Sequence, residues 1–139
     1  MSRLITIDHN GTEYGGQIGT VASTRLGYES HGILTVSLIV EWAGGGVSVG
    51  GFILDTPTDP DNRDYSRRGT AFGLDHIIRI IETVGVSAWE DLKGRQLIVL
   101  FEGPTAWGAQ SVGIASTTDE SSVLVFKEHA ETWLGEARA

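Results

Sequence analysis

The chain has 139 residues, no cysteine, and a formal net charge of −8 from 18 acidic and 10 basic side chains. This length suits one domain with its own hydrophobic core, so we treat residues 1–139 as a single domain. An acidic surface repels nucleic-acid backbones, and the absence of cysteine excludes disulfides and thiolate metal sites. No stretch approaches the ~20 apolar residues of a membrane span, and the N-terminal residues lack the apolar run of a signal peptide. These features predict a cytoplasmic protein with neither a membrane nor a nucleic acid as its partner.

The first half of the chain predicts β-strands separated by glycine-rich turns. Asn10-Gly11 is typical of a hairpin, because this pair adopts the positive φ angles of a type I′ turn. Ile33–Trp42 alternates apolar with polar side chains, which is the period of two of a half-buried strand. The glycines Gly44–Gly46 then turn the chain back. The predicted strands of this half are Leu4–Ile7 with Tyr14 across its turn, Val21–Leu26, Ile33–Trp42 and Val47–Leu54.

A long polar connection and an amphipathic helix follow. Asp55–Gly69 is the connection, and a loop of this length inside a compact domain tends to be functional. Ala71–Val84 has the i, i+3, i+4, i+7 spacing of apolar residues expected of a helix that covers a sheet. Thr70 is a suitable N-cap, and Gly85 is a suitable residue to end the helix. The apolar stripe predicted to be buried comprises Leu74, Ile77, Ile78 and Ile81.

The last third of the chain predicts further strands and a second helix. Val86–Leu92 is expected to form a short helical turn in which Ser87 and Glu90 make a capping box. Strands grouped by short turns argue against a doubly wound parallel sheet. We therefore predict an α+β fold, with a twisted antiparallel β-sheet of about six or seven strands, one central amphipathic helix and a short C-terminal helix. The elements predicted in this third are the strands Leu97–Phe101, Val112–Ala115 and Val123–Phe126 and the helix Glu128–Arg138.

The start of the central helix is the best candidate for a ligand site. Backbone N–H groups and the positive end of the helix dipole meet there, and proteins hold phosphate and carboxylate groups in this way. Arginines cluster just before Thr70, and Gly73 leaves out a side chain where a ligand approaches. A compact basic group on an acidic chain suits a small anion rather than a polymer. The same arginines can instead pair with Asp61 or Asp64 as ordinary exposed ion pairs.

Motifs for catalysis and metal binding lack their structural context. Gly46–Gly50 carries the letters of the hydrolase nucleophile elbow, but Ser48 lies in a predicted hairpin rather than at a strand-to-helix turn. The histidines show no metal-ligand spacing, and His129 is assigned to a solvated terminal helix. A group of aspartates in the long connection lacks the glycine and glutamate of an EF-hand. This group comprises Asp59, Asp61 and Asp64. We therefore predict no catalytic residue, no metal and no cofactor.

Four segments together resemble small phage and prophage proteins that mostly carry no assigned function. The segments are Gly27–Thr35, Gly50–Asp55, Gly69–Leu74 and Val84–Gly94, and the last of them is the most specific. The size and the order of strands and helices are also similar, at the level of the fold, to phage sponges of the anti-Thoeris type, which sequester nucleotide-derived immune signals. This resemblance implies the cytoplasm of a bacterial host. It also implies an oligomeric pocket in which arginines and an aromatic ring hold phosphate and base.

These patterns favour a non-enzymatic protein that binds a small phosphorylated ligand, such as a nucleotide immune signal. Glycine-rich strand edges need covering and tryptophan is enriched at interfaces, so a homo-oligomer is expected. The alternative that stays open is an acidic interaction module that inhibits a host protein, with strongly salt-dependent binding. The predicted ligand-binding residues are Arg63, Arg67, Arg68, Thr70, Phe72 and Gly73.

Overall fold

The computed structural model describes residues 4–29, 32–58, 66–102 and 111–138. Within these ranges the fold is α+β, which confirms the predicted class. The strands are β1 Leu4–His9, β2 Thr12–Tyr28, β3 Leu34–Trp42, β4 Gly45–Ile53, β5 Asp55–Pro57, β6 Arg67–Gly69, β7 Gln96–Glu102, β8 Ser111–Ala115 and β9 Val123–Val125. The helices are α1 Ala71–Val84 and α2 Phe126–Arg138, and Trp89–Asp91 forms a 3₁₀ turn.

Seven of the described strands form one antiparallel sheet in the order β4-β3-β2-β7-β8-β9, with β1 also paired to β2. β2 has 17 residues and organises this sheet. Its first part pairs with β1 on one edge and with β7 on the other, and its second part pairs with β3. The register with β3 shifts between Val21 and Ser23, where a bulge bends the strand. The predicted strand Val21–Leu26 is therefore only part of β2, which begins at Thr12 and includes Gly15, Gly16 and Gly19.

Two apolar clusters lie on opposite faces of β7, because successive side chains of a strand point to opposite sides. Leu97, Val99 and Phe101 belong to the larger core, which also contains residues of α1 and α2. Ile98 and Leu100 belong to a smaller core on the other face, which β1 and the first part of β2 cover. The main sheet thus packs apolar side chains on both faces.

β1 curls towards β8 and β9, since Thr6–Asp8 line the same groove as Ala115 and Val123. Gly16 of β2 lies opposite Ile5 of β1. A Cβ atom on Gly16 would lie 2.8 Å from Cγ2 of Ile98 and 3.0 Å from Cγ1 of Ile5. The missing side chain lets Ile5 of β1 approach Ile98 of β7, although β2 lies between these two strands. The β1–β2 hairpin therefore folds over the face of the sheet that the helices leave open.

Helix α1 begins and ends as predicted but buries a different face. The Thr70 side chain caps its start, and Gly85 ends it with a φ of 89° and an N–H that donates to the Ile81 carbonyl. The predicted stripe is wrong, because Leu74 is 63% exposed and Ile78 is 40% exposed. The buried residues are Gly73, His76, Ile80 and Thr83. This face is offset by one residue, or about 100° around the axis, from the predicted one.

The segment predicted as a loop from Asp55 to Gly69 contains a two-stranded sheet. β5 and β6 pair in antiparallel register, with Asp55 opposite Gly69 and Thr56 opposite Arg68. Three-residue strands are too short to show a period of two, so the sequence pattern gave no signal for them. Residues 59–65 lie outside the described part of the chain, and the aspartates considered there as oxygen ligands lie within that range.

The 3₁₀ turn differs from the predicted capping box. It begins after Ala88, and no side chain caps it, so Ser87 does not play the expected role. Helix α2 begins at Phe126 rather than at Glu128, because β9 ends at Val125 and leads directly into the helix. Across the described residues, neither helix is both long enough and apolar enough to cross a bilayer.

Candidate functional site

Arg67 of the predicted ligand site forms an internal ion pair. Its Nη2 donates to Oδ1 of Asp55 at 2.8 Å, and the two side chains are only 14% and 5% exposed. The other carboxylate oxygen of Asp55 accepts from the Leu34 amide at 3.2 Å. The Arg67 hydrogen bond lowers the pKa of Asp55 below its ordinary value. Arg67 therefore fixes β6 to β5 and to the start of β3. The alternative partners Asp61 and Asp64 lie outside the described residues.

Arg68 has the opposite environment from its neighbour. It lies on β6 across from Thr56, and its side chain is exposed. No described acidic side chain forms an ion pair with it. Because successive strand residues point to opposite faces, the buried position of Arg67 directs Arg68 to the solvent. Arg63, the third predicted arginine, lies outside the described residues.

Thr70 and Gly73 bind the start of α1 to the end of β4. The Thr70 hydroxyl accepts from the Gly73 amide at 2.9 Å and donates to the Leu54 carbonyl at 3.0 Å. A Cβ atom on Gly73 would lie 2.3 Å from that same carbonyl oxygen. The Thr70 cap is confirmed. The role expected for Gly73 is wrong, because the space that it leaves is filled by the backbone of Leu54 rather than left open to a ligand.

Phe72 belongs to an aromatic cluster that also contains two histidines. Its ring stacks on His129 with a centroid distance of 5.1 Å and on His76 at 5.8 Å. The rings of Phe52 and Phe126 approach His76 from other directions, at 4.8 Å and 5.5 Å. The predicted site residues are thus divided between two places. Arg67, Thr70 and Gly73 surround Leu54 and Asp55, Arg68 faces outward, and Phe72 points to the histidines.

His76 is the most unusual polar residue of this cluster. It is 1% exposed, and neither ring nitrogen has a hydrogen-bond partner within the described ranges. Burial disfavours the charged imidazolium and lowers the pKa of His76 to about 4. At neutral pH this histidine is therefore an uncharged aromatic ring packed among phenylalanines.

Asp75 connects α1 to α2. Its Oδ2 accepts from Nε2 of His129 at 2.7 Å and from Nε1 of Trp133 at 3.2 Å, and Nε of Arg79 lies 3.5 Å away. The His129 hydrogen bond is the main cause that lowers the pKa of Asp75. The His129 side chain is only 7% exposed, so the expectation of a solvated histidine is wrong. The adjacent Glu128 contacts Nε2 of His9 at 3.0 Å, which ties α2 to β1 as well.

A shallow cavity of about 360 Å³ adjoins this carboxylate–imidazole pair. Arg79, Thr132 and Trp133 contribute polar groups to its lining, and Val123–Val125 of β9 contributes an apolar side. Within the described chain, no group of three or more His, Asp or Glu side chains has a geometry that holds a metal. The clearest role of Asp75 and His129 is to hold the two helices together.

The helical spacing of the residues around His76 was the one feature of the sequence that indicated its burial. His76 lies at the spacing of a buried helical face together with Gly73, Ile80 and Thr83, but three of these four residues are not strongly apolar. A search for aliphatic residues alone therefore selects the neighbouring stripe.

Comparisons with known proteins found no matching family model, no matching curated protein and no matching solved structure.

Proposed function

We propose that this protein is a non-enzymatic binder of a small phosphorylated ligand, which it contacts through Arg68 and the first turn of α1. The observation that carries the proposal is the exposed side chain of Arg68, two residues before the N-cap Thr70 of a helix that has no acidic residue in its first turn. Arg68 has no acidic partner among the described residues, and an arginine near the positive end of a helix dipole favours a phosphate group. The Arg67–Asp55 pair supports this role indirectly, because it holds β6 in place.

Sequestration of a nucleotide immune signal by a phage-type anti-defence protein is the specific form of this proposal. Capture requires no catalytic residue, and it takes place in the bacterial cytoplasm where such signals occur. Leu74 and Ile78 leave apolar surface on the outward face of α1, which supports a homo-oligomer in which a second copy covers them. If the protein alone sediments as a monomer over the working concentration range, the proposed homo-oligomer is contradicted.

Isothermal titration calorimetry with ADP-ribose, cyclic ADP-ribose and cyclic dinucleotides tests the ligand proposal. We expect one of these probes to bind, and Arg68→Ala to weaken that binding about tenfold or more, since a charge-assisted hydrogen bond to phosphate is lost. Arg95→Ala is the matched control, because Arg95 is also exposed and has no acidic partner within the described residues. If no probe released heat, or if Arg68→Ala and Arg95→Ala lost the same affinity, this site would be ruled out.

A second function, an acidic module that inhibits a host protein, is favoured by a groove on the other face of the sheet. The groove has a volume of about 580 Å³ and includes Asp8, Asp119 and Glu120 among its lining residues, and none of the described lining residues is a lysine or an arginine. Protein segments fit such grooves better than small anions do, because the acidic side chains repel phosphate. Affinity capture from host lysate separates the two functions, since a nucleotide sponge brings down no stoichiometric protein partner.

A further inference from the structure

The groove between β1 and the β8–β9 connection has an apolar floor built across three strands. Ile98 of β7 pairs with Ala115 of β8, and Ala115 pairs with Val123 of β9, so their side chains lie in one row on one face. Ile98 and Ala115 are buried, whereas Val123 and Ile7 of β1 are half-buried at the sides. The Ile98 row continues to Ile18 of β2, which is 41% exposed. Ile18 therefore extends this apolar row to the protein surface.

The rim of the groove is polar, and the charged residues that line it within the described part of the chain are all acidic. Asp8 lies on β1, whereas Asp119 and Glu120 lie in the turn before β9, and all three residues are exposed. The Asp119 carboxylate is engaged in its own turn, where it accepts from the amide and the hydroxyl of Ser121. Asp8 and Glu120 have no ion-pair partner among the described residues. The hydroxyl groups on the rim belong to Thr6, Ser116, Thr117 and Thr118.

β1 presents an edge to this groove. Among the described elements, β1 pairs only with β2. In an antiparallel pair, alternate N–H and C=O groups of each strand point away from the partner, so those of β1 are left for another extended chain. Side chains also alternate along β1, with Ile7 in the smaller core and its neighbour Asp8 on the exposed side. An added strand would meet an apolar surface on one face and a carboxylate on the other.

We propose that this groove binds an extended segment of a partner protein, which adds along β1 and alternates apolar side chains with lysine or arginine. The apolar side chains pack against the half-buried Ile7 and Val123 at the sides of the groove, and the basic ones pair with Asp8 and Glu120. This inference rests on the second function proposed above, the inhibition of a host protein. It goes beyond that function by defining the chemistry of the segment that is recognised.

Fluorescence anisotropy with two labelled heptapeptides tests the proposal. One peptide alternates lysine with valine and the other alternates glutamate with valine. We expect the lysine peptide to bind and the glutamate peptide not to bind. The double variant Asp8→Asn with Glu120→Gln should weaken binding about fivefold, because it removes two ion pairs. The control, Glu90→Gln with Asp91→Asn, removes two exposed charges from the 3₁₀ turn and should change the affinity less than about twofold.

Hydrogen exchange locates the bound peptide. If the peptide adds to β1, the amides of Thr6–Asp8 exchange more slowly in the complex, whereas non-specific adsorption to acidic surface leaves them unchanged. The proposal that the groove binds this segment would be overturned if the two double variants weakened binding equally. It would also be overturned if β1 showed no protection or if the lysine peptide did not bind. A lysate partner that the wild type and the groove variant capture equally well would also overturn it, while leaving the inhibitory function intact. Failure to capture any partner would remove that function itself.

Discussion

The buried side chain of His76 has two opposite effects on the stability of the fold. Its two unpartnered nitrogens disfavour burial, because a polar group removed from water without a hydrogen bond destabilises the fold. The ring nevertheless fills the space among Phe52, Phe72 and Phe126. The net effect of His76 on stability depends on pH, because only the neutral imidazole fits this apolar environment.

The stability of the fold is therefore expected to fall in mild acid, and His76→Phe should reduce that fall. The pKa of His76 is lowered from 6.5 to about 4 on folding, so between these values the unfolded chain binds a proton that the folded chain does not. Stability due to the neutral ring is complete above pH 6.5 and is lost as the pH falls towards 4. The loss amounts to about 1 kcal/mol between roughly pH 7.5 and pH 5.5.

Urea unfolding of the wild type and of His76→Phe at these two pH values measures the difference, above the isoelectric point near 4.8. A proton NMR titration of the His76 ring provides an independent readout. Parallel pH dependence in the two proteins, or a His76 that titrates near 6.5, would show that the ring is not desolvated as described.

Single residues were predictable where their partners are close in the sequence. The hydroxyl of Thr70 caps the amide of Gly73 three residues later, and a local rule identifies such a cap. Arg67 pairs with Asp55, twelve residues earlier, and only the pairing of β5 with β6 brings them together. The charge partners expected from the sequence are nearer in the chain, at Asp61 and Asp64, because the sequence pattern gives no sign that β5 pairs with β6.

Helix α1 illustrates the same limit at the level of an element. Its bounds follow from Thr70 and Gly85, and they agree with the predicted helix from about Ala71 to Val84. Its orientation depends on Gly73, which allows the first turn to rest on the backbone of Leu54. That contact rotates the helix so that His76 and Ile80 point inward while Leu74 faces solvent. Apolar periodicity contains no information about a close contact between two backbones, so the rotation could not be predicted.

Gly73→Ala should destabilise the protein, although alanine is the better helix former. Helix propensity alone predicts a gain of about 1 kcal/mol, whereas forcing a methyl group into a filled space costs roughly 1–3 kcal/mol. We expect a net loss of about 1 kcal/mol or more, because the new Cβ would meet Leu54 backbone atoms that cannot rotate away.

Gly69→Ala is the control, since no atom lies within 4 Å of the Cβ that it introduces. Chemical denaturation of both variants measures the difference. A Gly73→Ala protein more stable than wild type would show that α1 does not lie against Leu54.

At the scale of the whole molecule, the α+β class and the antiparallel sheet were predictable from turn and strand signals. The curling of β1 towards β8 and β9 was not predictable from those signals. Gly16 of β2 leaves room for Ile5 of β1 and Ile98 of β7 to approach each other, and the pairing of β2 with β7 joins residues some eighty positions apart. The groove beneath β1 exists because of this curl, so no local pattern could have indicated it.

Gly16→Ala should destabilise the fold by roughly 1–3 kcal/mol, because its methyl group would overlap Ile98 and Ile5. Gly27→Ala lies in the same strand, and its new Cβ would have no neighbour within 4 Å, so it is expected to be close to neutral. Thermal unfolding followed by circular dichroism compares the two. Similar melting temperatures of the Gly16→Ala and Gly27→Ala proteins would contradict the close approach of Ile5 and Ile98 over Gly16.

The central position of β2 also has a consequence for the order in which the chain folds during synthesis. β1 to β4 are contiguous and can pair as soon as they leave the ribosome, but the other edge of β2 waits for β7. At roughly 5–20 residues per second, the segment between β4 and the end of β7 takes a few seconds to translate. During that interval the paired β1–β4 unit presents the open edge of β2 that later pairs with β7. A ribosome stalled after β4 should therefore hold a chain that is prone to pairing with its neighbours on the same polysome.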